Sequence, residues 1–259
     1  MGKVIALANQ KGGVGKTTTT VNLAAALAAA KRKILVVDLD PQGNTAIACG
    51  VDKVSVPYTS FDILMKEILP TEAIIRQESL GFDVIPGNSD LTAAEIRLLN
   101  EDRRERRLDD GLVLMKPHYD FILIDCPPSL NMLTLNALVA ADSVLVPMQC
   151  EYYSLEGLTD LMGTINNVQS TINPGLHIEG ILRTMYDERS RLTKDVSEQL
   201  IKYFGDKVYR TCIPRNIRLA EAPSHGVPVL MYDKSSRGAI AYITLAGEIL
   251  RKQNKNQNS

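Results

Sequence analysis

Residues 9–17 have the sequence NQKGGVGKT and stand between a short apolar run, Lys3–Ala8, and a helical pattern, Thr17–Ala30. Glycines let backbone N–H groups approach a polyphosphate closely, and a helix that begins there adds the positive end of its dipole. In such a loop Lys16 would contact the β and γ phosphates, and the hydroxyl of Thr17 would bind Mg²⁺. The segment therefore predicts a nucleotide-binding loop between strand and helix; the alternative is a flexible turn without a ligand.

Short β-branched runs alternate with longer helical patterns along the chain. Several of the short runs are apolar throughout, which is typical of strands buried on both faces. The alternation predicts an α/β fold with a mostly parallel, twisted sheet covered by helices on both faces. The predicted strands are Lys3–Ala8, Lys33–Asp38, Phe82–Pro86, Tyr119–Asp125, Ser143–Pro147, His177–Thr184 and Val208–Ile213. The predicted helices are Thr17–Ala30, Asp90–Leu108, Leu130–Ala140, Ser154–Ser170, Thr193–Phe204 and Gly238–Arg251.

The composition is that of an ordinary globular protein. Its 259 residues are 45% hydrophobic and 23% charged, with 17 glycines and 4 cysteines, which excludes the disordered, collagen-like and disulfide-rich classes. The cysteines are scattered without a Cys-x-x-Cys pair, which argues against a zinc site. No linker divides the chain, so we expect one domain over residues 1–252 and a polar, disordered tail over 253–259. Because neither a signal peptide nor an apolar run of about 18 residues is present, we expect a cytoplasmic protein.

Charge is distributed unevenly along the chain. The whole sequence has 29 Lys and Arg against 30 Asp and Glu, which does not suggest a nucleic-acid binder. Residues 1–182, however, contain 15 basic against 22 acidic side chains, whereas residues 183–259 contain 14 basic against 8 acidic ones. The final third of the chain could therefore bind a polyanion locally.

The loop departs from the strict pattern G-x-x-x-x-G-K-[ST], since Gln10 occupies the first glycine position. The string KGGVGKTTT that follows resembles the deviant Walker A motif of the ParA/MinD/nitrogenase iron protein superfamily, whose fold is P-loop NTPase-like. The resemblance implies that Lys11 contacts nucleotide phosphate across an ATP-sandwich dimer, where a second cation would neutralise charge that develops during phosphoryl transfer. The implied nucleotide contacts are Lys11, Gly12, Gly13, Val14, Gly15, Lys16, Thr17 and Thr18, and both lysines also have a catalytic role.

Two carboxylates follow the second predicted strand, in the string DLDPQGN at residues 38–44. Ligands of open α/β sheets bind at the carboxyl ends of the strands. There Asp38 would hold an Mg²⁺-bound water, and Asp40 would orient the attacking water. The string resembles the Walker A′ motif of ParA proteins, which implies that Asp40 is the catalytic carboxylate. The alternative is that both carboxylates only cap the turn before Pro41.

A third carboxylate, Asp125, ends the predicted strand Tyr119–Asp125 and precedes the string CPPS. Four apolar residues followed by an aspartate resemble the Walker B motif, whose carboxylate holds Mg²⁺ through water. Cys126 suggests an iron–sulfur ligand as an alternative, but the iron-protein branch needs cysteine ligands from two segments of each subunit, and this sequence does not match that pair. We interpret Cys126 as a buried thiol.

The segment IPRNIRLAEAPSHG, residues 213–226, resembles the signature of chromosomal ParA proteins of the Soj type. The resemblance implies that Pro214 and Asn216 lie against the adenine, and that Arg218, together with Arg189 in the string YDER, contacts DNA. Residues 183–218 contain nine Lys and Arg against five Asp and Glu, and contacts of this kind bind phosphates without recognising sequence. The alternative for both arginines is a solvated surface with compensating acids.

The resemblance covers residues 3–250 and implies an ATP hydrolase of DNA segregation with weak intrinsic turnover. ATP and Mg²⁺ would drive formation of a homodimer that binds non-specific double-stranded DNA of the nucleoid, and a ParB-type partner would stimulate hydrolysis and release it. Two alternatives stay open: a MinD-like membrane-associated positioning ATPase, and a metabolic P-loop enzyme that uses ATP on a small molecule. The segment Lys252–Ser259 has no apolar face to bury in lipid, which disfavours the membrane alternative.

Overall fold

The fold is built on one eight-stranded sheet in the computed structural model, which describes residues 2–257 and the side chains as far as Asn254. The strands are β1 (Lys3–Leu7), β2 (Ile34–Asp38), β3 (Ile75–Gln77), β4 (Phe82–Ile85), β5 (Phe121–Asp125), β6 (Ser143–Gln149), β7 (His177–Tyr186) and β8 (Val208–Pro214). Their order across the sheet is β3-β4-β2-β5-β1-β6-β7-β8. Neighbours are parallel except for β3, which pairs antiparallel with β4. The predicted fold class is confirmed.

Helices cover both faces of this sheet because successive strand residues point to opposite sides. Val4 and Ala6 belong to one buried cluster, whereas Ile5 and Leu7 belong to the other. The first cluster packs against α3 (Ser60–Met65), α4 (Leu91–Arg97), α5 (Arg107–Leu112), α6 (Met132–Ala140), α7 (Ser154–Thr171) and α8 (Arg191–Phe204). The second packs against α1 (Lys16–Ala29), α2 (Asn44–Ala48), α9 (Ile217–Glu221), α10 (Val229–Tyr232) and α11 (Arg237–Gln257).

The strand order brings three strand ends together at one edge of the sheet. Asp125 at the end of β5 is in register with Leu7 of β1 on one side and with Asp38 of β2 on the other. The chain crosses from β1 over β5 to β2, whereas β6 lies on the opposite side of β1. Such a reversal of strand order opens a crevice at the carboxyl ends of the strands, where ligands of α/β proteins bind.

The prediction of one continuous helix over Asp90–Leu108 is wrong, because the helix is interrupted in its middle. The chain forms α4, then short 3₁₀ turns at Leu98–Asn100 and Arg104–Arg106, and only then α5. Arg103 has a left-handed backbone with φ of 52°, which interrupts a right-handed helix. Asn136 of α6 stabilises the break, because its amide accepts from the N–H of Leu108 and donates to the carbonyl of Arg104.

The C-terminal helix is longer than its pattern indicates. α11 continues to Gln257, so the first five residues of the segment predicted as a disordered tail are helical. Asn258 and Ser259, the rest of that tail, lie outside the described residues, and the domain boundary at residue 252 stays a prediction. Within residues 2–257, none of the helices combines the length and the apolar character needed to cross a bilayer.

One buried hydrogen bond joins α1 to α11. The hydroxyls of Thr19 and Tyr242 lie 3.1 Å apart, and both residues are almost fully buried. We expect Tyr242→Phe to lower the free energy of unfolding by about 1–2 kcal/mol, because it leaves the Thr19 hydroxyl buried without this partner. Urea unfolding monitored by circular dichroism measures the change. Tyr203→Phe, which alters an exposed tyrosine, is the matched control; equal stability of the two variants would contradict the prediction.

Candidate functional site

The loop after β1 has the backbone that a phosphate-binding loop requires. Gly13 and Gly15 adopt left-handed φ angles of 70° and 87°, which favour glycine, and α1 begins at the next residue, Lys16. The loop is fixed from the neighbouring strands, since the Thr184 hydroxyl donates to the carbonyl of Val14 at 2.8 Å and the Gln149 amide donates to that of Gly13 at 3.2 Å. The turn is therefore held in place by β6 and β7.

Lys16 lies inside the loop. Its Nζ donates to the carbonyl of Asn9 at 3.0 Å and to that of Lys11 at 3.3 Å, and the residue is only 7% exposed. Burial lowers the pKa of the Lys16 ammonium, an effect that the Asp125 carboxylate opposes. Asn9 also organises the loop, because its amide donates to the carbonyl of Pro147 and accepts from the N–H of Lys11.

Asp125 is surrounded by hydroxyl groups. Its Oδ2 accepts from Thr17 at 2.6 Å and from Thr45 at 2.8 Å, and its Oδ1 accepts from Thr20 at 3.3 Å. Burial raises the pKa of Asp125, and the hydrogen bonds from Thr17 and Thr45 lower it. The structure thus brings together Thr17 and Asp125, which the sequence assigned to one Mg²⁺ site from segments about 100 residues apart. The roles of Thr45 and Thr20 were not predicted, since neither belongs to a recognisable motif.

Asp38 is fully buried and has one carboxylate oxygen available. Its Oδ1 accepts the N–H of Asp40 at 3.0 Å, whereas its Oδ2 has no hydrogen-bond partner among the described residues. Burial, and then the charge of Asp125, raise the pKa of Asp38 well above its ordinary value. Gly87 approaches this strand end so closely that a Cβ there would lie 2.8 Å from the Asp38 carbonyl oxygen. A buried carboxylate oxygen without a partner needs a cation or a water to stabilise it.

Asp40 also takes part in its local turn. Its Oδ1 accepts the N–H of Gln42 at 2.9 Å, and its carbonyl accepts the N–H of Gly43 at 2.9 Å. The turn-capping alternative is therefore structurally correct for Asp38 Oδ1 and Asp40 Oδ1. It leaves the second oxygen of Asp38 unexplained, so capping alone does not account for the acidic pair.

These residues fit Mg²⁺ bound together with a nucleotide. A Cβ placed on Gly13 would meet no atom within 4 Å, so space over the loop is open to a ligand. Within the described residues, no group of three or more His, Cys, Asp or Glu could hold a metal ion by itself. Mg²⁺ is commonly held by one or two carboxylates together with waters and substrate phosphates, and Asp38, Asp125 and Thr17 provide such a set.

Lys11 lies on the outer side of the loop. It forms an ion pair with Glu151, and both side chains are partly exposed, at 39% and 51%. The next two residues, Tyr152 and Tyr153, are exposed and pack edge to face against each other. The two lysines of the loop therefore occupy different environments, with Lys16 buried and Lys11 accessible from outside. The Glu151 contact could not be predicted, because 140 residues separate the partners.

Pro214 and Asn216 lie at the carboxyl edge of the same sheet. Pro214 ends β8 and is in register with Tyr186 of β7. The Asn216 side chain accepts the N–H of Arg218 at 3.0 Å, so it caps the first turn of α9. Their predicted contact with adenine stays a prediction.

Both arginines predicted to contact DNA are paired with acids. Arg189 donates to the two carboxylate oxygens of Asp187 at 3.0 and 3.2 Å. Arg218 lies 2.8 Å from Glu221 and 3.4 Å from Asp233. Both arginines are nevertheless accessible, with side chains 91% and 46% exposed. Each arginine is thus both accessible to DNA and paired with an acid, as the two interpretations respectively require. The role of these arginines in DNA binding stays a prediction.

Comparison with known proteins shows the family of this chain. A family model described as an AAA domain matches residues 2–178. The chain is 52% identical to the sporulation initiation inhibitor protein Soj of Bacillus subtilis over 249 residues, which cover 96% of this chain and 98% of that protein. It is 48% identical to the chromosome partitioning protein ParA of Caulobacter vibrioides over 257 residues, which cover 98% and 96% of the two chains.

A solved structure shows the same fold with a nucleotide bound. Cobyrinic acid a,c-diamide synthase from Mycobacterium smegmatis, crystallised with ADP and magnesium, superposes with a TM-score of 0.87 at 38% identity. The match covers 99% of this chain and 97% of that one. The fold therefore accommodates a magnesium nucleotide in a related protein.

Proposed function

Because this chain belongs to the family of the Soj and ParA chromosome-partitioning proteins, we propose that it is a DNA-segregation ATPase that dimerises with Mg-ATP and binds duplex DNA as a dimer. The observation that carries this proposal is the placement of two lysines on one loop. Lys16 is buried inside it, and Lys11 faces outward. One lysine can bind the phosphates of its own chain while the other is available to a second copy.

In the proposed hydrolysis the residues around the loop have separate roles. Bound Mg-ATP supplies the phosphoryl group that is transferred to water. The loop N–H groups and Lys16 would bind the phosphates, Thr17 would hold Mg²⁺, and Asp38 and Asp125 would hold it through water. Asp40, at the same edge of the sheet, orients the attacking water and accepts its proton.

Lys11 makes hydrolysis depend on a second subunit. Its ammonium pairs with Glu151 at the surface, whereas the ammonium of Lys16 is held by carbonyls of the loop. In a face-to-face dimer Lys11 would therefore be free to reach the nucleotide of the partner. A cation there stabilises the charge of the transition state, as an arginine finger does. An isolated chain would lack that cation, so we expect its intrinsic turnover to be weak.

DNA binding follows from the basic final third of the chain. Arg189 and Arg218 are accessible there, and dimerisation doubles every phosphate contact, so affinity rises steeply. Such contacts are independent of sequence, which suits the nucleoid as a substrate in the cytoplasm. A ParB-type partner stimulates hydrolysis and thereby releases the dimer.

The two alternative functions have less support. The 38% identity to a metabolic synthase is well below the 52% identity to Soj at similar coverage. The 29% identity to the cell division ATPase MinD of Pyrococcus furiosus is lower still, at similar coverage.

Binding to random duplex DNA tests the proposed function. We expect ATP with Mg²⁺ to strengthen binding over ADP, and salt to weaken it steeply, in fluorescence anisotropy with a labelled duplex. Sedimentation with anionic liposomes is the parallel assay. If the protein binds liposomes and its affinity for DNA is the same with ATP as with ADP, the membrane alternative is favoured and the proposal is refuted.

Arg218→Glu is expected to lose DNA binding while it still binds nucleotide. The substitution reverses a charge beside Glu221 and Asp233, so three acids then face the DNA. Anisotropy with labelled DNA and with a fluorescent ATP analogue measures the two activities. Arg76→Glu makes the same charge change on β3, at the opposite end of the strand order, and is the control. Unchanged affinity and salt slope in Arg218→Glu would remove this arginine from the DNA site.

A further inference from the structure

A cleft of ≈ 680 Å³ opens beside the predicted DNA contacts. It lies between the ends of β7 and β8 and the first turn of α11. Three arginines line it, namely Arg189, Arg215 and Arg237, and they come from separate segments of the chain. Two acids, Asp187 and Glu188, also line it, and so does Pro214, whose predicted contact is with adenine. The three-dimensional fold therefore brings together Arg189 of the string YDER, Arg215 of the segment IPRNIRLAEAPSHG, and Arg237, which lies outside both segments.

The three arginines differ in what they already bind. Arg189 is engaged by both carboxylate oxygens of Asp187. Arg215 and Arg237 are exposed, and neither forms an ion pair or a side-chain hydrogen bond with the described residues. An unpaired guanidinium can take a phosphate without first giving up a carboxylate, and its planar fork matches phosphate geometry.

We infer that Arg215 and Arg237 bind a backbone phosphate of duplex DNA in this cleft, with Arg189 at its rim. The inference rests on the proposed function, and it places the main phosphate contact at Arg215 and Arg237 instead of at Arg189 and Arg218. The two arginines predicted to contact DNA both form ion pairs with neighbouring acids, whereas Arg215 and Arg237 form none with the described residues, although Asp187 lies near enough to Arg215 to feel its charge. Duplex DNA is the expected occupant because the cleft belongs to the basic final third of the chain, which carries 14 basic against 8 acidic side chains.

The salt dependence of DNA binding tests the inference. The variants are Arg237→Gln and Arg215→Gln, and the matched controls are Arg251→Gln on the same helix as Arg237 and Arg210→Gln on β8. Both controls remove an exposed arginine outside the cleft. Anisotropy with a labelled random duplex in ATP and Mg²⁺ is measured over a potassium chloride series. Each neutralised phosphate contributes about 0.9 to the slope of log affinity against log salt, so loss of this one phosphate contact in both chains of the dimer should lower the slope by about 1.8.

We expect Arg237→Gln and Arg215→Gln to bind DNA with lower affinity and with a shallower dependence of that affinity on salt. The controls should behave like the wild type. Arg237→Lys keeps the charge and should keep the slope, which separates phosphate binding from damage to the fold. Wild-type slopes in both glutamine variants would overturn the inference, and equal losses in the controls would overturn it in favour of diffuse surface charge. A wild-type protein without ATP-dependent DNA binding would instead refute the proposed function.

Discussion

Asp40→Ala is expected to stop ATP turnover while the protein still dimerises with ATP. The Asp40 carboxylate lies at the edge of the sheet where Asp38 and Asp125 end their strands, and its proposed task is to take a proton from water. Removal of such a group slows hydrolysis by about 10²–10⁴-fold, whereas the loop and both lysines stay in place. Phosphate release measures turnover, and light scattering measures the dimer.

Two further variants separate catalysis from local structure. Asp40→Asn retains an oxygen that can accept the N–H of Gln42, so the turn is preserved while the base is lost. Asp52→Asn is the control, because Asp52 makes the same kind of turn contact, to the N–H of Val54 at 3.1 Å, on the surface. Turnover at the wild-type rate in Asp40→Ala would exclude Asp40 as the catalytic carboxylate.

Lys11→Ala is expected to abolish ATP-driven dimerisation and to lower turnover by about 10³-fold or more. The substitution removes the outward cation of the loop but leaves Lys16 bound to the carbonyls of Asn9 and Lys11. ATP should therefore still bind to the single chain. Binding of a fluorescent ATP analogue, light scattering and phosphate release measure the three effects, and Lys31→Ala, at the opposite end of α1, is the control.

A mixture of two inactive variants tests whether Lys11 acts across the dimer. When Lys11→Ala chains are mixed with Asp40→Ala chains, the heterodimer contains one complete site, with Asp40 from one chain and Lys11 from the other. We expect part of the turnover to return on mixing. If light scattering shows that the mixture forms dimers and it remains as inactive as each variant alone, Lys11 does not act in trans on a site whose Asp40 is in cis.

Local signals were enough to predict the sheet and the loop. The buried strands are continuous apolar runs, and two glycines beside a lysine leave few alternatives for the turn between β1 and α1. The interruption between α4 and α5 was missed because it depends on Asn136, which arrives from a later helix. The antiparallel edge strand β3, with three residues, was too short to produce a periodic pattern.

At the candidate site, motif resemblance named Lys11, Asp125 and Arg218, whose roles stay predictions. It did not indicate the partners that modify the charge of these side chains. Glu151 lies 140 residues from Lys11, and Thr45 lies 80 residues from Asp125. Asp233 is separated from Arg218 by a turn and a helix. Such pairs form through the tertiary fold, so a single sequence without aligned relatives contains no signal for them.

The contact between α1 and α11 has a thermodynamic meaning for the two proposed binding sites. One helix starts at the phosphate loop, and the other starts at Arg237 in the cleft, so the Thr19–Tyr242 bond joins the supports of both. If occupation of the loop shifts this helix pair and so raises affinity for DNA, DNA must raise affinity for the nucleotide by the same factor. Protein bound to DNA would then have a higher affinity for ATP than free protein, and this retained ATP would in turn keep the protein in the state that binds DNA.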